Sequence, residues 1–140
     1  MRNVVGRRAG RPDYSQSLFR TAIPDFKQGQ RTFSYTTTET ICYEPHQIST
    51  PEFEYKTYIK WIYLSADANI MLDVQIFRAR GDQTIEAIAY EQGYQNLYIT
   101  FPHSVIANPG EHLEIVVDTH EYGTEVKVII NVFGLMEVGS

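Results

Sequence analysis

A single cysteine, Cys42, occurs in the 140 residues, so no disulfide can form within the chain and the fold does not lean on an oxidising compartment. A cytosolic origin is the expectation. No apolar run approaches the roughly 18 residues of a membrane span, and the start Met-Arg-Asn-Val-Val-Gly-Arg-Arg has no signal-peptide apolar block. These two features predict a soluble protein that is not exported by that route. The glycines stand singly, which excludes a Walker loop and a dinucleotide fingerprint. Amphipathic segments long enough to read as helices are also missing.

What is abundant points to strands. Aromatic residues make up 13% of the chain, with ten Tyr and seven Phe, and such side chains favour a pleated, half-buried surface. At this length one domain is expected, and folding can bury roughly two-thirds of the surface of the unfolded chain.

The net charge of −5 conceals a division. Residues 1 to 31 carry Arg2, Arg7, Arg8, Arg11, Arg20, Lys27 and Arg31 against Asp13 and Asp25, giving 7 − 2 = +5, so residues 32 to 140 carry −5 − 5 = −10. A basic segment on an acidic body marks an interaction tail. Within residues 1 to 31, Gly6, Gly10, Pro12, Pro24 and Gly29 interrupt every run, and Val4, Val5, Leu18, Phe19, Ile23 and Phe26 follow neither a period of 2 nor one of 3.6. Such a segment builds no core by itself; a short helical turn over residues 15 to 21, capped by Asp13, is the one local structure expected there.

From Thr32 onward the alternation is near two. Phe33, Tyr35, Ile41 and Tyr43 share one parity; Phe53, Tyr55, Ile59, Trp61 and Tyr63 share another, with Glu52 and Glu54 facing outward. Ile70, Leu72, Val74 and Ile76 define the clearest buried side. After Arg80-Gly81-Asp82 come Ile85 to Tyr90, a turn at Gln92-Gly93, and then Leu97, Ile99 and Phe101 opposite Tyr98. Asn108-Pro109-Gly110 predicts a type II turn, followed by Leu113, Ile115 and Val117, a turn at Glu121-Tyr122-Gly123, and a last strand through Val126, Val128, Ile130 and Val132. That strand is apolar on both faces around Ile129 and Phe133, as expected of a central one. About eight strands result, which predicts an all-β, two-sheet antiparallel sandwich of jelly-roll or related Greek-key topology over residues 32 to 140, preceded by an extended arm over residues 1 to 31. An immunoglobulin-like sandwich ranks second, since it lacks here the paired Cys around a core Trp.

Constellations for chemistry are sparse. Asp118 and His120 would share a strand face, but two ligands do not make a metal site, and His112, Glu114, Asp118 and His120 read as a solvated face. Cys42 reads as a small buried residue in a strand, with no recognisable nucleophile signature around it. No catalytic residue, cofactor or metal is therefore assigned. Arg80-Gly81-Asp82 spells an adhesive tripeptide, although Gly and Asp between strands are what a hairpin needs. The Tyr residues and Trp61 admit a sugar-stacking reading, with half-buried rings at Tyr35, Tyr43, Tyr55 and Tyr63 as the plainer alternative. Phosphate binding by Arg7, Arg8 and Arg11 is opposed by the acidic body.

In the arm, Arg7, Arg8, Arg11 and Arg20 can engage carboxylates, while Leu18, Phe19, Ile23 and Phe26 can fill grooves on a partner. The sequence Val4-Val5-Gly6-Arg7-Arg8-Ala9-Gly10-Arg11-Pro12 followed by a Tyr- and Ile-rich sandwich resembles the capsid decoration, or cement, proteins of tailed bacteriophages. The resemblance is architectural and spans the whole chain. It implies a virion protein of the capsid surface, assembled in the host cytoplasm, whose arm binds the major capsid protein and neighbouring copies of itself while the sandwich supplies the contacts of a homotrimer. Two other classes of reading stand beside it: a carbohydrate-binding or tail-associated receptor-binding module, and a small enzyme.

Overall fold

The computed structural model describes residues 29–42, 45–120 and 125–138. Eight strands occur: β1 (Gln30–Ile41), β2 (His46–Ser49), β3 (Thr57–Ala66), β4 (Met71–Arg80), β5 (Gln83–Tyr94), β6 (Asn96–Ala107), β7 (Glu111–Asp118) and β8 (Val126–Glu137). No helix is present among the described residues, so none is long and apolar enough to cross a membrane. The strands form two four-stranded sheets, ordered β1-β8-β3-β6 and β2-β7-β4-β5. The first strand lies beside the last, the second beside the seventh, the third beside the sixth and the fourth beside the fifth. That nesting is one long antiparallel ribbon wrapped into a double sheet, the jelly-roll order. The sandwich expected from the alternation is therefore present, and β8 is a central strand as its two-faced apolarity requires.

Residues Thr32–Glu137 make one compact unit. The remaining unit comprises residues 1–31 and 138–140; its described part is Gly29 to Arg31 with Val138, whose N–H donates to the Gly29 carbonyl at 2.7 Å. The arm residues Arg7, Arg8, Arg11, Leu18, Phe19, Arg20, Ile23 and Phe26, the expected helical turn, Tyr43 and the Glu121-Tyr122-Gly123 turn all lie outside the described residues.

Alternation places the core. Ile70, Leu72, Val74 and Ile76 from the β4 side, Leu113, Ile115 and Val117 from β7, and Val126, Val128, Ile130 and Val132 from β8 are all buried. Phe33 and Tyr35 pack against this core from β1, and Phe33 meets Phe53 edge-on with ring centroids 4.8 Å apart. Each such side chain contributes about 1.5–3 kcal/mol of hydrophobic stabilisation when fully buried.

Five expectations need correction. Trp61 and Tyr63 do not share the face of Ile59: Ile59 pairs with Gly134 and Trp61 with Phe133, so Lys60 is an extra residue on β3 and the parity flips there. Beyond the bulge Ile62, Leu64 and Ala66 face the core instead, and Trp61 and Tyr63 face outward. Gly93 lies inside β5, and the chain reverses at Gln95, whose φ is 62°. Cys42 is exposed and follows the end of β1. His112 is buried, not solvated, while His120 lies beyond the end of β7 with a φ of 58°. The segment from Pro51 to Lys56 is also no strand, although Phe53 is buried and Glu52 and Glu54 are exposed as expected.

The turns follow their residue chemistry. Gly110 has a φ of 87°, and the Glu111 N–H donates to the Asn108 carbonyl at 3.0 Å, which closes the type II turn around Pro109. Gly81 takes the first central position of the β4–β5 hairpin with a φ of 61°, as a type II′ turn requires.

Candidate binding surfaces

Three regions gather polar or aromatic side chains. On the outward face of the β2-β7-β4-β5 sheet, Asp73 and Asp118 are direct cross-strand partners. Asp73 Oδ2 accepts from the Tyr90 hydroxyl and from Gln92 Nε2, each at 3.2 Å, and lies 3.3 Å from His120 Nε2, while His120 Nδ1 is 3.6 Å from Asp118 Oδ1. The hydrogen bond to Asp73 pushes the Tyr90 phenol up, because it stabilises the protonated phenol beside a carboxylate. This cluster ties β4, β5 and the end of β7 together. Among the described residues no group of three or more His, Cys, Asp or Glu is placed to hold a metal ion.

The second region is a cleft of about 610 Å³ beside Arg78, lined among others by Lys56, Glu86, Ile88, Ser104 and Asn108. Arg78 donates to Glu111 Oε1 at 2.9 Å and to Glu86 Oε1 at 3.0 and 3.1 Å. Glu111 also accepts the Asn108 backbone N–H at 2.8 Å, and Arg80 Nη2 stands 3.5 Å from its other oxygen. Burial opposes ionisation of Glu111, but the Asn108 N–H and Arg78 outweigh it and hold the carboxyl below its usual range. Pairing with Glu111 in turn raises Arg78 further. The charges of the cleft are thus largely committed to one another. Arg80 of the Arg80-Gly81-Asp82 tripeptide is engaged too, donating to the Pro109 carbonyl at 3.1 Å.

The third region is the outward face of the β1-β8-β3-β6 sheet. Phe133, Trp61 and Thr100 form one cross-strand row, Asn131, Tyr63 and Tyr98 the next, and Ile129, Ser65 and Asn96 a third. The Trp61 and Phe133 rings lie within 12° of parallel with centroids 5.3 Å apart. Near-parallel rings at that separation form an offset stack. Tyr98 closes on Trp61 at 5.8 Å and on Tyr63 at 6.0 Å. Tyr63 donates to Asn96 Oδ1 at 3.1 Å, Ser65 donates to the same oxygen at 2.9 Å, and Thr36 of β1 donates to Asn131 Oδ1 at 2.7 Å. Farther along, the Tyr58 hydroxyl donates to Glu137 Oε2 at 2.6 Å, which pushes its phenol up.

This face brings Trp61 and Tyr63, which alternation set beside Ile59, together with Tyr98, which it set opposite Leu97 and Ile99, and with Phe133. The signal that could have found it is the strand β8 reading, in which Ile129 and Phe133 already faced away from Val128, Ile130 and Val132. Comparison with protein-family models and with curated proteins gives no match.

Proposed function

We propose that this protein is a structural component that binds and braces a larger assembly, and that it acts as a capsid decoration protein clamping shell subunits through its N-terminal arm. The observation that carries this reading is the charge division, +5 over residues 1 to 31 against −10 over the rest. A segment rich in Arg and interrupted by Gly and Pro gains order when another surface supplies what it lacks, and it can wrap a large area in doing so. Arg7, Arg8, Arg11 and Arg20 supply forked donors for carboxylates, and Leu18, Phe19, Ile23 and Phe26 supply apolar anchors. A jelly-roll sandwich suits the role, because its core is assembled from the strands and leaves whole sheet faces for contact.

A sugar-binding module is supported less well. Stacking on a pyranose needs a ring face turned to solvent, whereas Trp61 and Phe133 turn faces to each other. The test is co-sedimentation with virion shells stripped of the protein. The intact chain pellets with the shells; a chain lacking residues 1 to 28 keeps its β-sheet circular dichroism and stays in the supernatant. A truncated chain that pellets as well as the intact one would remove the arm from the mechanism.

A further inference from the structure

We infer that the outward face of the β1-β8-β3-β6 sheet is where a second copy of this chain docks. The inference deepens the structural reading above, yet it concerns self-association and does not depend on the arm. The three cross-strand rows on this face supply nine outward side chains from β8, β3 and β6, and none of them is charged. β1 extends the same uncharged surface with Ser34, Thr36, Thr38 and Thr40, all exposed. Lys127 and Glu137 bring charge back toward the ends of β8, and within β3 the one charged side chain beside these rows is Lys60, the bulge residue before Trp61, whose Nζ donates to Ser104 Oγ at 2.8 Å. Three large apolar or aromatic residues of this face are well exposed: Tyr98 at 59%, Ile106 at 42% and Ile129 at 42%.

The occupant follows from charge. Residues 32 to 140 carry 15 acidic against 5 basic groups, so most approaches of one body to an identical one set carboxylate against carboxylate. Like-charge juxtaposition disfavours such contacts. The opposite sheet illustrates it, since its outward rows hold the Asp73–Asp118 pair and Glu114 beside Phe77. The uncharged face is where two copies meet without that repulsion, and its aromatic content matches the core of self-interfaces, which are depleted of charge and rich in Tyr, Trp and Phe.

Size and geometry agree. Four strands about 4.8 Å apart span roughly 19 Å, and a strand of 10 residues such as β3 is about 33 Å long, giving a projected area on the order of 600 Å² per copy. A standard interface covers about 800 Å² of accessible surface per partner, and accessible area exceeds the flat projection. Pairing through the β5 and β6 edges is hindered. β5 carries Ile85 and Ile88 as extra residues opposite β4, and β6 makes a four-residue excursion, Phe101 to Ser104, with Pro102 in it, where β3 has only Lys60. Bulges and edge prolines of this kind block strand addition.

The experiment is sedimentation equilibrium on the full chain and three full-length variants. The wild-type protein sediments as a reversible oligomer. Tyr98→Glu combined with Ile129→Glu, both at exposed positions, weakens association by about 100-fold, as expected of a carboxylate forced into an apolar contact. Tyr94→Glu, at an exposed residue of β5, leaves association unchanged, and so does reversal of Arg7, Arg8 and Arg11 to Glu. A monomeric wild-type chain, or an oligomer indifferent to the Tyr98 and Ile129 substitutions, overturns the inference while leaving the arm reading intact. Loss of the oligomer on arm reversal alone overturns it as well, by moving self-association to the arm.

Discussion

At Gly134 the β8 backbone passes so close to β3 that a Cβ would lie 2.6 Å from the Tyr58 carbonyl oxygen and 3.2 Å from the Ile59 Cα. Both neighbours are backbone, so neither can swing aside. Gly134→Ala is expected to destabilise the protein by about 1–3 kcal/mol through overpacking, read as a lower urea midpoint with an unchanged slope. Glu111 presents an electrostatic counterpart. Its carboxyl is held below the ordinary range, so the unfolded state binds its proton more readily than the folded one. The stabilisation is therefore complete above the unfolded carboxylate pKa and is lost as pH falls through that value toward the lowered folded one. Glu111→Gln should cost about 1.5–3 kcal/mol at neutral pH, the range for a hydrogen bond to a charged partner. It should also flatten the acid limb of a plot of urea midpoint against pH. An acid limb as steep as in the wild type would show that other carboxylates carry it.

Among the elements, β3 is where an alternating pattern misleads. Phe53, Ile59 and Trp61 share a parity in the sequence, yet the extra residue Lys60 sends Ile59 inward and Trp61 outward. Ile62→Ala should then cost about 2–5 kcal/mol, as for a fully buried aliphatic side chain. Trp61→Ala should cost less, about 0.5–1.5 kcal/mol for the lost ring stacking. Urea denaturation at a concentration below any self-association compares the two, and a larger loss at Trp61 would place its ring in the core. Strands without bulges on their inner half were legible: Leu72, Val74 and Ile76 in β4 and Leu113, Ile115 and Val117 in β7 are buried as their alternation requires. Turns with strong φ demands were legible too, as at Gly81 and Gly110. Gly93 was not, because a glycine also serves where strands approach closely; a Cβ there would meet Leu97 Cδ1 at 3.0 Å and the Asn96 carbonyl at 3.1 Å. The aromatic face was hidden for the same reason as the β3 parity. A one-residue slip exchanges the two faces of a strand, and no residue in Ile59-Lys60-Trp61 announces it.

For the whole molecule, charge and surface divide the work. The acidic sandwich keeps a sheet face whose central cross-strand rows are uncharged, and the basic residues concentrate in the first thirty-one positions. In this account the face serves copies of the chain, whereas the arm serves the assembly. The direct measurement is the affinity of the full chain for stripped shells at two ionic strengths, compared with the chain in which Arg7, Arg8 and Arg11 are reversed to Glu. Since the screening length shrinks from about 30 Å at 0.01 M to about 8 Å at 0.15 M salt, the account predicts a large loss of affinity for the reversed chain at low salt and a smaller one at high salt. Equal affinity of the two chains at both ionic strengths would contradict it.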